Sequence, residues 1–161
     1  MKSLRKIFNI VSAAALLASF YPLLFWNRLE GARIPTRFGM DGMPDRWGDM
    51  TSLLILCVIA TAAYVFFLAC QRAPQLMNTL EPEPAKITPG VSSAVKDFIS
   101  HLCFVCMLLH SSVSNSGLAV ALGKAQAMPS WIYAVLLALI VIAAVVLIVR
   151  VIVAVAAQRR G

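Results

Sequence analysis

Residues 27–50 read NRLEGARIPTRFGMDGMPDRWGDM, a polar stretch set between two apolar runs of twenty residues each, 7–26 and 51–70. It holds four of the seven carboxylates (Glu30, Asp41, Asp45, Asp49) and four of the fourteen basic residues (Arg28, Arg33, Arg37, Arg46). Those charges cancel. Pro35 and Pro44, with Gly31, Gly39, Gly42 and Gly48, predict a succession of turns in place of a long helix. The rest of the chain is apolar enough to sit in a bilayer.

The flanking runs set the fold class. Twenty residues at a helical rise cover about 30 Å, the thickness of a hydrocarbon core. The first run follows Lys2, Arg5 and Lys6 and ends in Phe20-Tyr21-Pro22-Leu23-Leu24-Phe25-Trp26, a poor cleavage site, so it reads as an uncleaved span. After the second run, Arg72-Ala73-Pro74 stops the helix, and the proline-rich 72–90 segment reads as a surface linker. Thr88-Pro89 marks a helix start, leading through a short amphipathic entry into a third span over 98–122. A fourth span runs over 131–150, where nineteen residues precede Arg150 and leave it free to snorkel to the headgroups. The expectation is an all-α, polytopic membrane protein with four transmembrane helices and one structured extracytoplasmic loop.

Composition agrees. The 161 residues are 60% hydrophobic and 13% charged, against about 45–50% and about 25% in soluble domains. The net charge of +7 sits at helix ends with no aromatic–basic stripe, which excludes nucleic acid as a partner. Cys57, Cys70, Cys103 and Cys106 all fall in or beside apolar runs and read as free, buried thiols.

Basic residues orient the spans. With the N-terminus in the cytoplasm, that side carries Lys2, Arg5, Lys6, Arg72, Lys86, Lys96, Arg150, Arg159 and Arg160. The other side carries the four loop arginines and Lys124. The excess places both termini in the cytoplasm and loop 27–50 outside, with 71–97 as the cytoplasmic loop.

Three groups are candidate sites. In the loop, Asp41-Gly42 suits a turn with positive φ, and Pro44-Asp45-Arg46-Trp47 suits a tight turn with Trp47 at the interface. The loop charges either pair among themselves as a folded cap or present a surface to a ligand or peptide. In the third span, His110, Ser114 and Asn115 are polar at membrane depth and serve as interhelical glue or as a functional site. Cys103, Cys106 and His110 share one helix face, but i to i+7 covers about 10 Å, too far for one ion without help from other helices. No metal or cofactor is expected.

Arg33-Ile34-Pro35-Thr36-Arg37-Phe38 followed by Gly42-Met43-Pro44-Asp45-Arg46-Trp47-Gly48 resembles the signature of the bacterial domain-of-unknown-function 1648 family. That family occurs in small bacterial membrane proteins and at the front of SdpI-type immunity proteins. The likeness spans residues 23–56 and continues weakly through Pro74-Gln75-Leu76-Met77-Asn78 and Ile87-Thr88-Pro89. The pattern's histidine is Arg37 here and its closing lysine is Met50. The resemblance implies the bacterial cytoplasmic membrane and a leaning toward immunity or signalling.

The combined expectation is a non-enzymatic membrane accessory protein. Pro35, Arg37, Gly42, Pro44, Asp45, Arg46 and Trp47 would recognise a secreted peptide, toxin or membrane partner. The alternative is a small transport or channel component using His110, Ser114 and Asn115. Besides the lipid bilayer, a homo-oligomeric partner is expected because four short helices enclose little core.

Overall fold

The computed structural model of the protein describes residues 2–72 and 89–158. Thr88 and most of the linker read over 72–90 lie outside the described residues. Four helical segments are long and apolar enough to cross a membrane, the architecture of a multi-pass membrane protein. In chain order the elements are α1 (Lys2–Ser19), a 3-10 turn (Tyr21–Phe25), α2 (Trp26–Leu29), β1 (Ile34–Phe38), β2 (Pro44–Gly48), α3 (Met50–Arg72), α4 (Pro89–Ala121) and α5 (Trp131–Gln158).

Several boundaries differ from the sequence reading. The first run is helical in two pieces, because Pro22 has no N–H and breaks the helix after Ser19. The third helix is continuous from Pro89 over 33 residues, about 50 Å at 1.5 Å per residue, so it must tilt or project beyond the hydrocarbon core. The fourth continues past Arg150 to Gln158. Nor is the chain wholly α-helical. Within the expected run of turns, β1 and β2 pair antiparallel in a two-stranded hairpin. Asp45, Arg46 and Trp47 therefore lie in a strand, not a tight turn. Proline is tolerated at the first residue of a strand, where Pro44 stands.

The break at Pro22 creates a problem that other helices solve. In a continuous helix the N–H of residue 22 would donate to the Ala18 carbonyl. Proline cannot, and Asn115 of α4 supplies the donor instead, with Nδ2 3.1 Å from the Ala18 oxygen. The Leu23 N–H turns to the Phe20 carbonyl, and the Ser19 carbonyl it would have served accepts the Cys57 thiol of α3 at 3.5 Å. The Ser19 hydroxyl donates to the Leu16 carbonyl at 2.6 Å. Each carbonyl of this last turn thus has a partner, as a low-dielectric surrounding demands.

Helix α4 is the central post: α1, α3, α5 and β1 all pack on it. One buried cluster joins Ala15 and Leu16 of α1 to Ala60 of α3 and to Cys103 and Met107 of α4. A second, under the hairpin, joins Leu29, Ile34, Met50, Leu53 and Leu118. At the end remote from the hairpin, the Asn9 and Gln71 side-chain amides exchange hydrogen bonds at 3.0 and 3.2 Å. The Ser100 hydroxyl donates to Asn9 Oδ1 at 2.7 Å. This triad ties α1, α3 and α4 together.

A capping box starts α3. Asp49 Oδ1 accepts from the Ser52 N–H at 2.7 Å and the Ser52 hydroxyl at 2.8 Å, and the Asp49 N–H donates back to Ser52 Oγ at 3.4 Å. The Ser52 bonds, backbone first, hold the Asp49 carboxyl below its ordinary value of 3.8.

Two outcomes are expected. Asn115→Leu leaves the Ala18 carbonyl without a donor and should lower stability by about 1–3 kcal/mol, read as a fall in melting temperature in detergent. Because the folded-state pKa of Asp49 is depressed, its cap is complete above the ordinary carboxylate value and is lost as pH falls below it. Acid should therefore destabilise the wild type more than Asp49→Asn, measured as melting temperature against pH.

Candidate functional site

The hairpin divides its residues by burial. Ile34 and Phe38 of β1 are buried, at 0% and 5% exposure, and Ile34 sits in the cluster with Leu29, Met50, Leu53 and Leu118. Removing such a side chain from water is worth about 1.5–3 kcal/mol. Pro35 is also buried, and its carbonyl lies against Gly117 of α4, where an added Cβ would come within 2.6 Å of the Pro35 oxygen. The small residue is what lets strand and helix approach.

The connection between the strands is held as closely. The Gly39 N–H donates to the Met43 carbonyl at 2.8 Å and the Gly42 N–H to the Gly39 carbonyl at 2.9 Å. Asp41 Oδ1 accepts the Met43 N–H at 3.0 Å, closing an Asx turn. Gly42 has φ +82°, and its missing side chain leaves room for the Met128 carbonyl of the α4–α5 turn. The Met128 N–H donates to the Gly42 carbonyl at 2.8 Å. From α5, the Tyr133 hydroxyl donates to the Phe38 carbonyl at 2.9 Å. The hairpin is thereby fixed to α4, α5 and the start of α3.

Arg37, Asp45, Arg46 and Trp47 face outward. Arg37 and Asp45 form an ion pair at 3.0 Å with their side chains 66% and 38% exposed. Such a pair contributes about 0–1 kcal/mol, so the apolar face holds the hairpin and the charges remain available. Met40, Met43 and Trp47 are exposed beside them. At the open end of the hairpin, a groove of about 370 Å³ is bounded by Arg33, Trp47, Asp49 and Ser52. A cation, an aromatic face and a capped carboxylate there suit the backbone and side chains of an extended peptide.

The seven loop positions singled out by sequence therefore separate. Pro35 and Gly42 are turned into the structure, Pro44 is half-buried at the strand start, and Arg37, Asp45, Arg46 and Trp47 are exposed. Arg33 and Tyr133 were not singled out. Arg33 carries a loop charge in the sequence, but nothing local marks Tyr133.

The intramembrane group separates as well. Asn115 is engaged with Ala18 and also donates to the Ser111 carbonyl at 2.8 Å. His110 Nε2 and Ser114 Oγ are buried without a hydrogen-bond partner among the described residues. Cys57, Cys70, Cys103 and Cys106 are free thiols. Among the described residues, no three His, Cys, Asp or Glu side chains are grouped to hold a metal ion.

Compared with known proteins, the chain matches no protein-family model, no curated protein and no solved structure.

Proposed function

We propose that the protein is a non-enzymatic accessory of the bacterial cytoplasmic membrane, of the immunity or signalling type. Both termini lie inside, and the hairpin outside recognises an extended peptide or the exposed segment of a membrane partner. The observation that carries this reading is the division of the hairpin. Its inward residues anchor it to three helices, while Arg37, Asp45, Arg46 and Trp47 stay exposed on a rigid base. A preorganised surface loses little entropy on binding. The orientation rests on the excess of basic residues at the Arg5 end. The resemblance of the 33–48 segment to the domain-of-unknown-function 1648 signature supports the leaning toward immunity or signalling.

A second reading, a small transport or channel component, is favoured by the unpartnered His110 Nε2 and Ser114 Oγ at membrane depth. The two readings separate by mutation. Under the first, Trp47→Ala with Asp45→Ala should cut partner capture from native membranes by about thirtyfold, the loss of an aromatic hot spot. Stability should shift by less than about 0.5 kcal/mol, since both side chains are exposed. Equal capture by the well-folded variant would remove the recognition reading. Under the second, His110→Ala abolishes a solute flux into vesicles that the loop variant leaves intact.

A further inference from the structure

At the end of the bundle remote from the hairpin, α1 and α5 both pack on α4 but scarcely touch each other. Between them runs a crevice of about 180 Å³ floored by α4. Leu4, Phe98, Ile142 and Val146 make most of it apolar, and Arg5, Asp97 and Arg150 line it as well. Asp97 Oδ2 accepts Arg150 Nη1 at 2.6 Å. Its second oxygen, Oδ1, stands 3.7 Å from Arg5 Nη1, beyond hydrogen-bond reach, and is buried with no hydrogen-bond partner among the described residues. One turn along α4, His101 also lines the crevice, and its Nε2 is likewise buried with no hydrogen-bond partner among the described residues.

Two guanidiniums against one carboxylate leave the group a formal charge of +1. Its depth is set by α5: Arg150 lies nineteen residues beyond the exposed Trp131. That is about 29 Å along the helix, and a hydrocarbon core is about 30 Å thick. With Trp131 at one interface, Arg150 stands at the headgroup level of the other. Val146 and Ile142, one and two turns back, stand at acyl-chain level. The crevice thus offers charge where a lipid phosphate lies and apolar wall where its chain lies.

We propose that this crevice holds one anionic phospholipid with a hydroxylated headgroup, of the phosphatidylglycerol type. Arg5 and Arg150 receive the phosphodiester, whose single negative charge balances the cluster. Asp97 Oδ1 accepts a headgroup hydroxyl, and an acyl chain lies along Phe98, Ile142 and Val146. A zwitterionic choline lipid leaves the +1 charge unbalanced and has no hydroxyl for Oδ1. A free phosphate ion gains nothing from the apolar wall.

The test is native mass spectrometry of the full chain with bound lipids. It is loaded from mixed micelles of phosphatidylglycerol, phosphatidylethanolamine and phosphatidylcholine with identical acyl chains. The expected result is one retained phosphatidylglycerol, favoured over each of the others by about tenfold, the effect of one charged hydrogen-bonding partner. Arg150→Gln and Arg5→Gln should each reduce retention about tenfold. Val146→Trp, a half-exposed position, should reduce it with both arginines in place. The wild-type preference needs no variant, so a misfolded substitution leaves the test intact. Equal retention of the three lipids would overturn the proposal. So would displacement of the bound lipid by millimolar inorganic phosphate or glycerol phosphate, which would mark a soluble-anion site.

Discussion

A bilayer offers no water to an orphaned backbone carbonyl, and the proline at position 22 orphans one within the first apolar run. The structure around it follows from that constraint. Asn115 must reach from α4 to Ala18, and Cys57 must reach from α3 to Ser19. Both contacts require α1, α3 and α4 to meet at the same height. The buried cluster of Leu16, Ala60, Cys103 and Met107 packs these same three helices. Lipid supplies no hydrophobic force between helices, so close packing and such hydrogen bonds set their arrangement.

The two ends of the bundle are secured by different chemistry. At the hairpin end, burial of Ile34 and Phe38, the close approach at Gly117 and backbone bonds through Gly42 and Phe38 clamp the cap. At the other end the ties are polar: the Asn9–Gln71–Ser100 triad and the Arg5–Asp97–Arg150 cluster. The amides, hydroxyl and charges there are largely removed from solvent, where an unpaired polar group is costly.

Much of this was legible in the sequence, for reasons that differ residue by residue. The spans are written in hydropathy, which is local and needs no partner. Gly42 was readable because Asp-Gly encodes its own turn, and the structure places φ at +82° there. Pro44-Asp45-Arg46-Trp47 was misread as a turn because Pro-Asp is a turn signal, whereas here Pro44 opens a strand whose partner lies across a five-residue connection. Arg150 was recognisable as a charge near an interface, but its pairing with Asp97 joins residues 53 apart. Asn9 and Gln71 are 62 apart and carry no periodic signal. Asn115 stood out as polar at membrane depth, yet its task became visible only once the break at Pro22 was placed against it.

Helix α5 is the least buried of the four spans and packs chiefly on α4 through a narrow stripe that includes Leu136 and Ala143. A smooth apolar rod in lipid can slide or spin on such a stripe at little cost. Tyr133 and Arg150, near its two ends, each make one polar bond to a different part of the protein. Together they fix its depth and rotation, as two pins fix a shaft. The last span is then a clasp. Its seating closes the hairpin through Tyr133 and the charged cluster through Arg150.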